Sequence, residues 1–136
     1  METFNINHWA VLLCAAANLA VGALWYSPLL FYQAWMKENQ LTEEIIKKTF
    51  NPLKMSGLSF GLSLLISYNL AFFLADAETT VLWGTTAGFL AGFGFSALIF
   101  AIVALFEQRS WTYILINGGY ITVYFTLIGF ILGVWR

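Results

Sequence analysis

The chain has 136 residues, of which 60% are hydrophobic, 18% aromatic and only 10% charged, with a formal net charge of −1. Soluble domains carry about 25% charged residues, so this composition excludes an ordinary soluble domain, and with no basic patch it gives no support for a nucleic-acid partner. The single cysteine, Cys14, rules out an internal disulfide.

Four long apolar runs, residues 8–31, 53–74, 80–106 and 111–135, account for most of the chain, with charged residues outside them or at their margins. At about 1.5 Å per residue, each is long enough to cross a hydrocarbon core of roughly 30 Å as a helix. Nothing is left over for a second domain, so residues 1–136 read as one all-α unit. The expected architecture is an antiparallel bundle of four transmembrane helices, with a short interfacial helix between the first two.

The N-terminal tail, residues 1–7, lacks Lys and Arg, and the run behind it is longer than the core of a signal peptide. The Cys14-Ala15-Ala16-Ala17 stretch is therefore read as part of span one, with Cys14 as a small packing residue. His8, the only histidine, lies at the margin of this span beside Trp9, where it reads as a headgroup-level residue rather than a metal ligand. Span one leaves through LWYSPLLFYQAW. Trp25, Tyr26, Tyr32 and Trp35 suit the membrane–water interface, and Pro28 either kinks the helix or marks its last turn.

Residues 41–50 form the one amphipathic segment. Thr42 is placed as an N-cap, with Glu43 and Glu44 in the first turn and Lys47 and Lys48 four residues on from each. Leu41, Ile45 and Thr49 lie on one side with Ile46 and Phe50 adjoining, so it is expected to lie on the membrane surface with its lysines near anionic lipid. Asn51-Pro52 then stops it and opens span two, with proline at a first-turn position. A turn of about six residues makes spans two and three an antiparallel hairpin. Glu107, Gln108, Arg109 and Ser110 form a second tight turn, with Ser110 as the N-cap of span four.

Small residues recur every four positions. Span two has Gly57, Gly61 and Ser59, Ser63, Ser67; span three has Gly84, Gly88, Gly92 and Ser96; span four has Gly129 and Gly133. Such faces let helices approach closely in lipid, either within a monomer or between subunits. For Gly84, Gly88 and Gly92 the expectation is a homo-oligomer.

Charge distribution sets the expected orientation. The loops 1–2 and 3–4 hold Lys37, Lys47, Lys48, Lys54 and Arg109, whereas the other side holds only Arg136. The positive-inside rule then puts the loops in the cytoplasm and both termini outside, in a plasma or bacterial inner membrane.

The span interiors contain no Asp, Glu, Lys or Arg, which argues against a proton relay or charged ion path. No nucleophile–base pair, metal-ligand cluster or phosphate-cradling loop can be assembled, so no catalytic residue, metal or cofactor is expected. What remains is polar and aromatic. Asn18, Gly22, Trp25 and Tyr26 share one face of span one, and Tyr113, Asn117, Tyr120 and Tyr124 share one face of span four. Asn18 lies about 15 Å from Pro28 along a helix and Asn117 about 10 Å from Ser110, so the two amides could meet across the bundle. Such a pair either fixes helix register or contacts a ligand. Glu107 and Arg109 close the same side, where Glu107 can cap span four or pair with Arg109. The candidate ligand site is thus Asn18, Trp25, Tyr26, Glu107, Arg109, Asn117 and Tyr120, lining one cavity open to the loop side.

The chain resembles the membrane-protein family known as domain of unknown function 1761. The residues that carry this are ALWYSPLLF at 23–31 with AWM at 34–36, Asn51-Pro52, LFE-x-R at 105–109 and INGGY at 116–120. The family pattern tends to have glycine at position 108 and proline at 110, where this chain has Gln108 and Ser110. The resemblance implies a small four-span membrane protein and no assigned activity. Two functions from different classes follow: a non-enzymatic membrane protein that binds a small or lipid-like ligand or passes a neutral solute, and an accessory or scaffolding subunit that packs a partner through small-residue faces.

Overall fold

A computed structural model describes residues 5–136, which apart from short terminal segments lie in helices or the turns that connect them. Residues 1–4 lie outside the described residues, and with them the start of the tail expected on the outer face. Four helices are long and apolar enough to cross a membrane: α1 (His8–Trp25), α4 (Pro52–Phe73), the continuous rod Val81–Phe106, and α7 (Trp111–Val134). Two short helices, α2 (Tyr32–Glu38) and α3 (Glu43–Thr49), lie between the first two. The rod comprises α5 (Val81–Phe89), a π-helical stretch over Leu90–Ala97, and α6 (Leu98–Phe106).

Helix starts follow local chemistry. Asn7, Thr42, Asn51, Thr80 and Ser110 each turn a side-chain oxygen onto backbone N–H groups of the first turn, which satisfies donors a helix leaves orphaned. The one boundary that differs from the sequence pattern is the exit of span one. The helix stops at Trp25 rather than running to 31. Ser27 and Pro28 lie in a turn closed by the Leu30 amide on the Ser27 carbonyl at 2.9 Å, and the chain restarts as α2. In the π-helical stretch, the Ser96 hydroxyl donates to the Ala91 carbonyl five residues back at 3.0 Å, which follows the wider spacing of a π turn.

The helices do not close into a ring. α1 packs against both α4 and α7, and α7 packs against the rod along its length. The hairpin of spans two and three is splayed rather than tight. A cleft of about 280 Å³ lined by apolar residues separates Leu70 and Phe73 of α4 and Leu74 just past its end from Trp83, Ala87 and Phe95 of the rod. The two ends of the molecule are tied by polar contacts. On one end, Arg136 donates to the carbonyls of Leu74 and Asp76, so the C-terminus holds the turn between α4 and α5. On the other, Arg109 reaches the end of α2. Below these are called the terminal side and the loop side.

Burial is concentrated towards the terminal side. Val11, Cys14, Leu70, Ala71, Leu74, Tyr124, Ile128 and Leu132 form one core where α1, α4 and α7 meet. On the outside, Leu62, Leu65, Phe73, Leu82, Phe106 and Leu115 are largely exposed. That is the reverse of a soluble protein and fits helices whose solvent is hydrocarbon.

The contact between the rod and α7 is a glycine seam. Gly84 and Gly88 back onto Gly129, and Gly92 backs onto Phe125. A β-carbon on Gly84 would lie 2.6 Å from the Gly129 carbonyl oxygen, and one on Gly88 would collide with the Phe125 carbonyl. The seam corrects the expectation that Gly84, Gly88 and Gly92 meet a second copy: that face is already covered by α7 of the same chain. Gly57 and Gly61 of α4, in contrast, face open space.

Candidate ligand cleft and its comparisons

Towards the loop side α4 diverges from α1, and no residue of its first ten is buried. The divergence opens a cleft of about 540 Å³ whose inner wall is Asn18 and Gly22 of α1 and Tyr26 just past its end, with Tyr120 of α7, and whose outer wall is Phe50, Met55, Ser56 and Ser59. A second, aromatic hollow of about 310 Å³ adjoins it at the surface, formed by Tyr26, Tyr32, Trp35, Ile46 and Phe50. Tyr26 and Phe50 belong to both. Among the described residues, no charged side chain lines either one.

The inner wall is built by complementary packing. Gly22 lacks a side chain where the Tyr120 ring lies across it; a β-carbon there would touch the ring at 3.8 Å. The Tyr120 ring meets Tyr26 at 5.6 Å between centroids on one side and stacks on Tyr124 at 6.3 Å on the other, arrangements favourable to aromatic quadrupoles. Tyr124 is fixed in turn, its hydroxyl donating to the Cys14 carbonyl at 3.1 Å and meeting Ser67 Oγ at 3.4 Å. The wall behind the cleft is therefore rigid.

Asn18 stands apart within this wall. It is only 9% exposed, it lines the cleft, and its amide has no hydrogen-bond partner among the described residues. The Tyr120 hydroxyl likewise has none. Among the described residues no fully buried side-chain nitrogen or oxygen lacks a partner, so these two groups open onto the cleft and offer a donor–acceptor pair and a donor to whatever occupies it.

The other sequence-predicted residues do different work. Asn117 does not meet Asn18: its Oδ1 accepts from the Tyr26 hydroxyl at 2.5 Å and its Nδ2 donates to the Tyr113 carbonyl at 3.1 Å. It holds the Tyr26 ring in position from behind the cleft. Trp25 points to α7, with Nε1 donating to the Ile116 carbonyl at 2.8 Å and its ring filling the space above Gly119. Arg109 donates to Asn39 Oδ1 at 2.8 Å and to the Glu38 carbonyl at 3.3 Å, and lies 3.6 Å over the Tyr113 ring. Ser110 donates to Glu38 Oε2 at 2.5 Å and caps α7 through Tyr113 N. Glu107 is exposed at the turn and neither caps α7 nor pairs with Arg109. Of the seven expected residues, then, Asn18, Tyr26 and Tyr120 line the cleft, Asn117, Trp25 and Arg109 position its walls, and Glu107 stands outside.

Sequence reasoning missed Phe50, Met55, Ser56 and Ser59 as the outer wall and Glu38 and Asn39 as the partners of Arg109 and Ser110. Ser59 was visible only as one of a series of small residues, and the outward lean of α4 left no signal.

At the turn that carries Arg109, Gln108 adopts φ 60°, in the left-handed region. Glycine tolerates that conformation freely, which suits the glycine that the family resemblance leads one to expect at this position. Ser110 has φ −72°, within reach of proline. No curated protein and no solved structure matches the chain. A match does extend across residues 9–133 to the family described as "Protein of unknown function (DUF1761)", covering all four long helices and the cleft, and the chain belongs to that family.

Proposed function

We propose that this chain is a non-enzymatic integral membrane protein that binds a small or lipid-like ligand, or passes a neutral solute, at the cleft between α1 and α4. The observation that carries the reading is Asn18: a nine-tenths-buried residue whose amide opens onto the cleft with no protein partner, on a wall held rigid by Tyr26, Tyr120 and Tyr124. A purely structural asparagine would have its amide taken up by protein groups, as Asn117 is by the Tyr26 hydroxyl and the Tyr113 carbonyl. Concave, largely apolar sites with a few convergent polar groups are the usual form of small-ligand pockets. Native mass spectrometry from mild detergent tests the reading. The chain retains a bound small molecule, and Asn18→Leu loses it while remaining folded. Retention of the same mass by Asn18→Leu would refute the assignment.

The orientation that goes with this reading puts α2, α3 and the cleft mouth in the cytoplasm and both termini outside, in a plasma membrane. It rests on five basic residues against one. In a Cys14→Ala background, a cysteine at exposed position 78 reacts with an impermeant thiol reagent on intact cells and one at exposed position 44 does not. The reverse pattern inverts the topology.

A second reading, that of an accessory subunit or a self-associating scaffold, has one observation in its favour. Gly57 and Gly61 of α4 face open space at the spacing that lets another helix come close. It predicts a fixed stoichiometry that Gly57→Leu with Gly61→Leu abolishes.

A further inference from the structure

The cleft and the hollow beside it together describe the chemistry of their occupant. We infer that the occupant is an uncharged amphiphile with a flat, carbonyl-bearing ring and an apolar tail, the quinone class of membrane lipid. The inference rests on the ligand-binding reading above and narrows it.

Three features converge. First, the described lining of both spaces carries no charge, so a charged headgroup would enter without a counter-ion, at a cost far above that of a neutral one. Second, the unpartnered groups are the Asn18 amide and the Tyr120 hydroxyl, with Ser56 and Ser59 across the gap. Their N–H and O–H groups suit carbonyl oxygens, and carbonyl oxygens projecting from a rigid ring can be met from two walls at once. Third, the walls are aromatic. Tyr120 and Tyr26 meet at 5.6 Å, Tyr26 and Trp35 edge to face at 6.1 Å, and Tyr32 and Trp35 at 6.4 Å with planes 26° apart, with Phe50 opposite. Such a lining offers both faces and edges to a planar ring. Leu19 and Met55, at the margin of the cleft, supply an apolar path on which a tail leaves between α1 and α4 into the hydrocarbon. A diacyl lipid would set a glycerol and two chains against these rings and leave their faces unused.

The test titrates the purified full chain in nanodiscs with decylubiquinone, using dioleoylglycerol and dioleoylphosphatidylglycerol as comparators. Binding is followed by tryptophan quenching and by thermal stabilisation. The expected result is saturable binding of one decylubiquinone per chain. It is weakened at least tenfold by Asn18→Leu and severalfold by Tyr120→Phe, which keeps the ring over Gly22 and removes only the hydroxyl. Tyr120→Phe carries the test if Asn18→Leu does not fold. Equal affinity in wild type and both variants would overturn the proposal. Asn18-dependent binding of dioleoylglycerol or dioleoylphosphatidylglycerol, without decylubiquinone binding, would overturn the quinone class and leave the cleft as a ligand site. Failure of all three probes would also overturn the class, and the mass retained in native spectrometry then decides the cleft itself.

Discussion

Two helix pairs in this molecule carry the same small-residue signal and use it in opposite ways. Between the rod and α7, glycines stand on both sides, and the backbones close until no β-carbon fits. Between α1 and the loop-side half of α4, the glycines are not matched: Gly57 and Gly61 of α4 point away, Gly22 of α1 backs onto the Tyr120 ring, and a cleft lies between the two helices. In lipid there is no hydrophobic drive to force the second pair shut, because tails solvate leucine as well as a neighbouring helix does. Direct backbone-on-backbone contact therefore forms where small residues are matched across the interface. The matched seam is structural; the unmatched gap is where a ligand can enter.

The largest effect that separates the two regions is a glycine replacement. Gly88→Leu forces a branched side chain into the Phe125 backbone. Overpacking a core typically costs about 1–3 kcal/mol and sometimes more, and here the obstacle is backbone that cannot rotate away. Loss of the folded species in detergent is expected, and Gly88→Ala should already lower the thermal transition. Gly61→Leu, at the same helical spacing on α4, meets nothing within 4 Å and should leave the monomer's transition within the ~1 kcal/mol that separates glycine from a good helix former. Equal sensitivity at the two sites would erase the distinction drawn here.

An intermediate effect is expected at Arg109, which fastens the loop that roofs the aromatic hollow. Arg109→Ala removes two charge-assisted hydrogen bonds and a cation–π contact, a loss of about 2 kcal/mol in all. It should expose residues 31–42 to limited proteolysis without touching the seam. Arg109→Lys should rescue only in part, since an ammonium lacks the planar fork that reaches Glu38 and Asn39 while lying over Tyr113. Full rescue would mean that charge alone holds the loop.

The smallest effect runs the other way. Gln108→Gly relieves a left-handed conformation that costs a side-chain-bearing residue about 1–2 kcal/mol, so the thermal transition should rise slightly, and ligand retention should be unchanged. A fall would show that the Gln108 side chain itself is in use.

Which of these features could be read from the sequence follows from how local each one is. The long helices were legible because a membrane removes the need for a polar face, and the caps at Thr42 and Ser110 because each is settled within one turn. The early end of α1 at Trp25 was blurred, since an apolar run continues to Phe31 with only Ser27 and Pro28 to break it. The glycine faces of the rod and α7 were both visible, but spacing alone does not say that they pair with each other. At the cleft, helical spacing placed Asn18, Tyr26 and Tyr120 correctly. It grouped Trp25 with Tyr26, although neighbouring residues diverge by about 100° around a helix, and the two rings go to different places. Arg109 and Glu107 were placed by proximity in the chain, whereas their surroundings are set by α2, whose separate existence depends on the turn at Pro28. The lean of α4 is a tertiary outcome with no local signature.

The central claim is that the space beside Asn18 is a ligand site and the glycine seam is not. A crystal structure grown from a lipidic mesophase tests it most directly. The expected density has α4 held apart from α1 on the loop side, with a non-protein molecule in hydrogen-bonding reach of the Asn18 amide and the Tyr120 hydroxyl. Ser59 packed onto Asn18, its amide bonded to α4 and no volume remaining between the helices would contradict it.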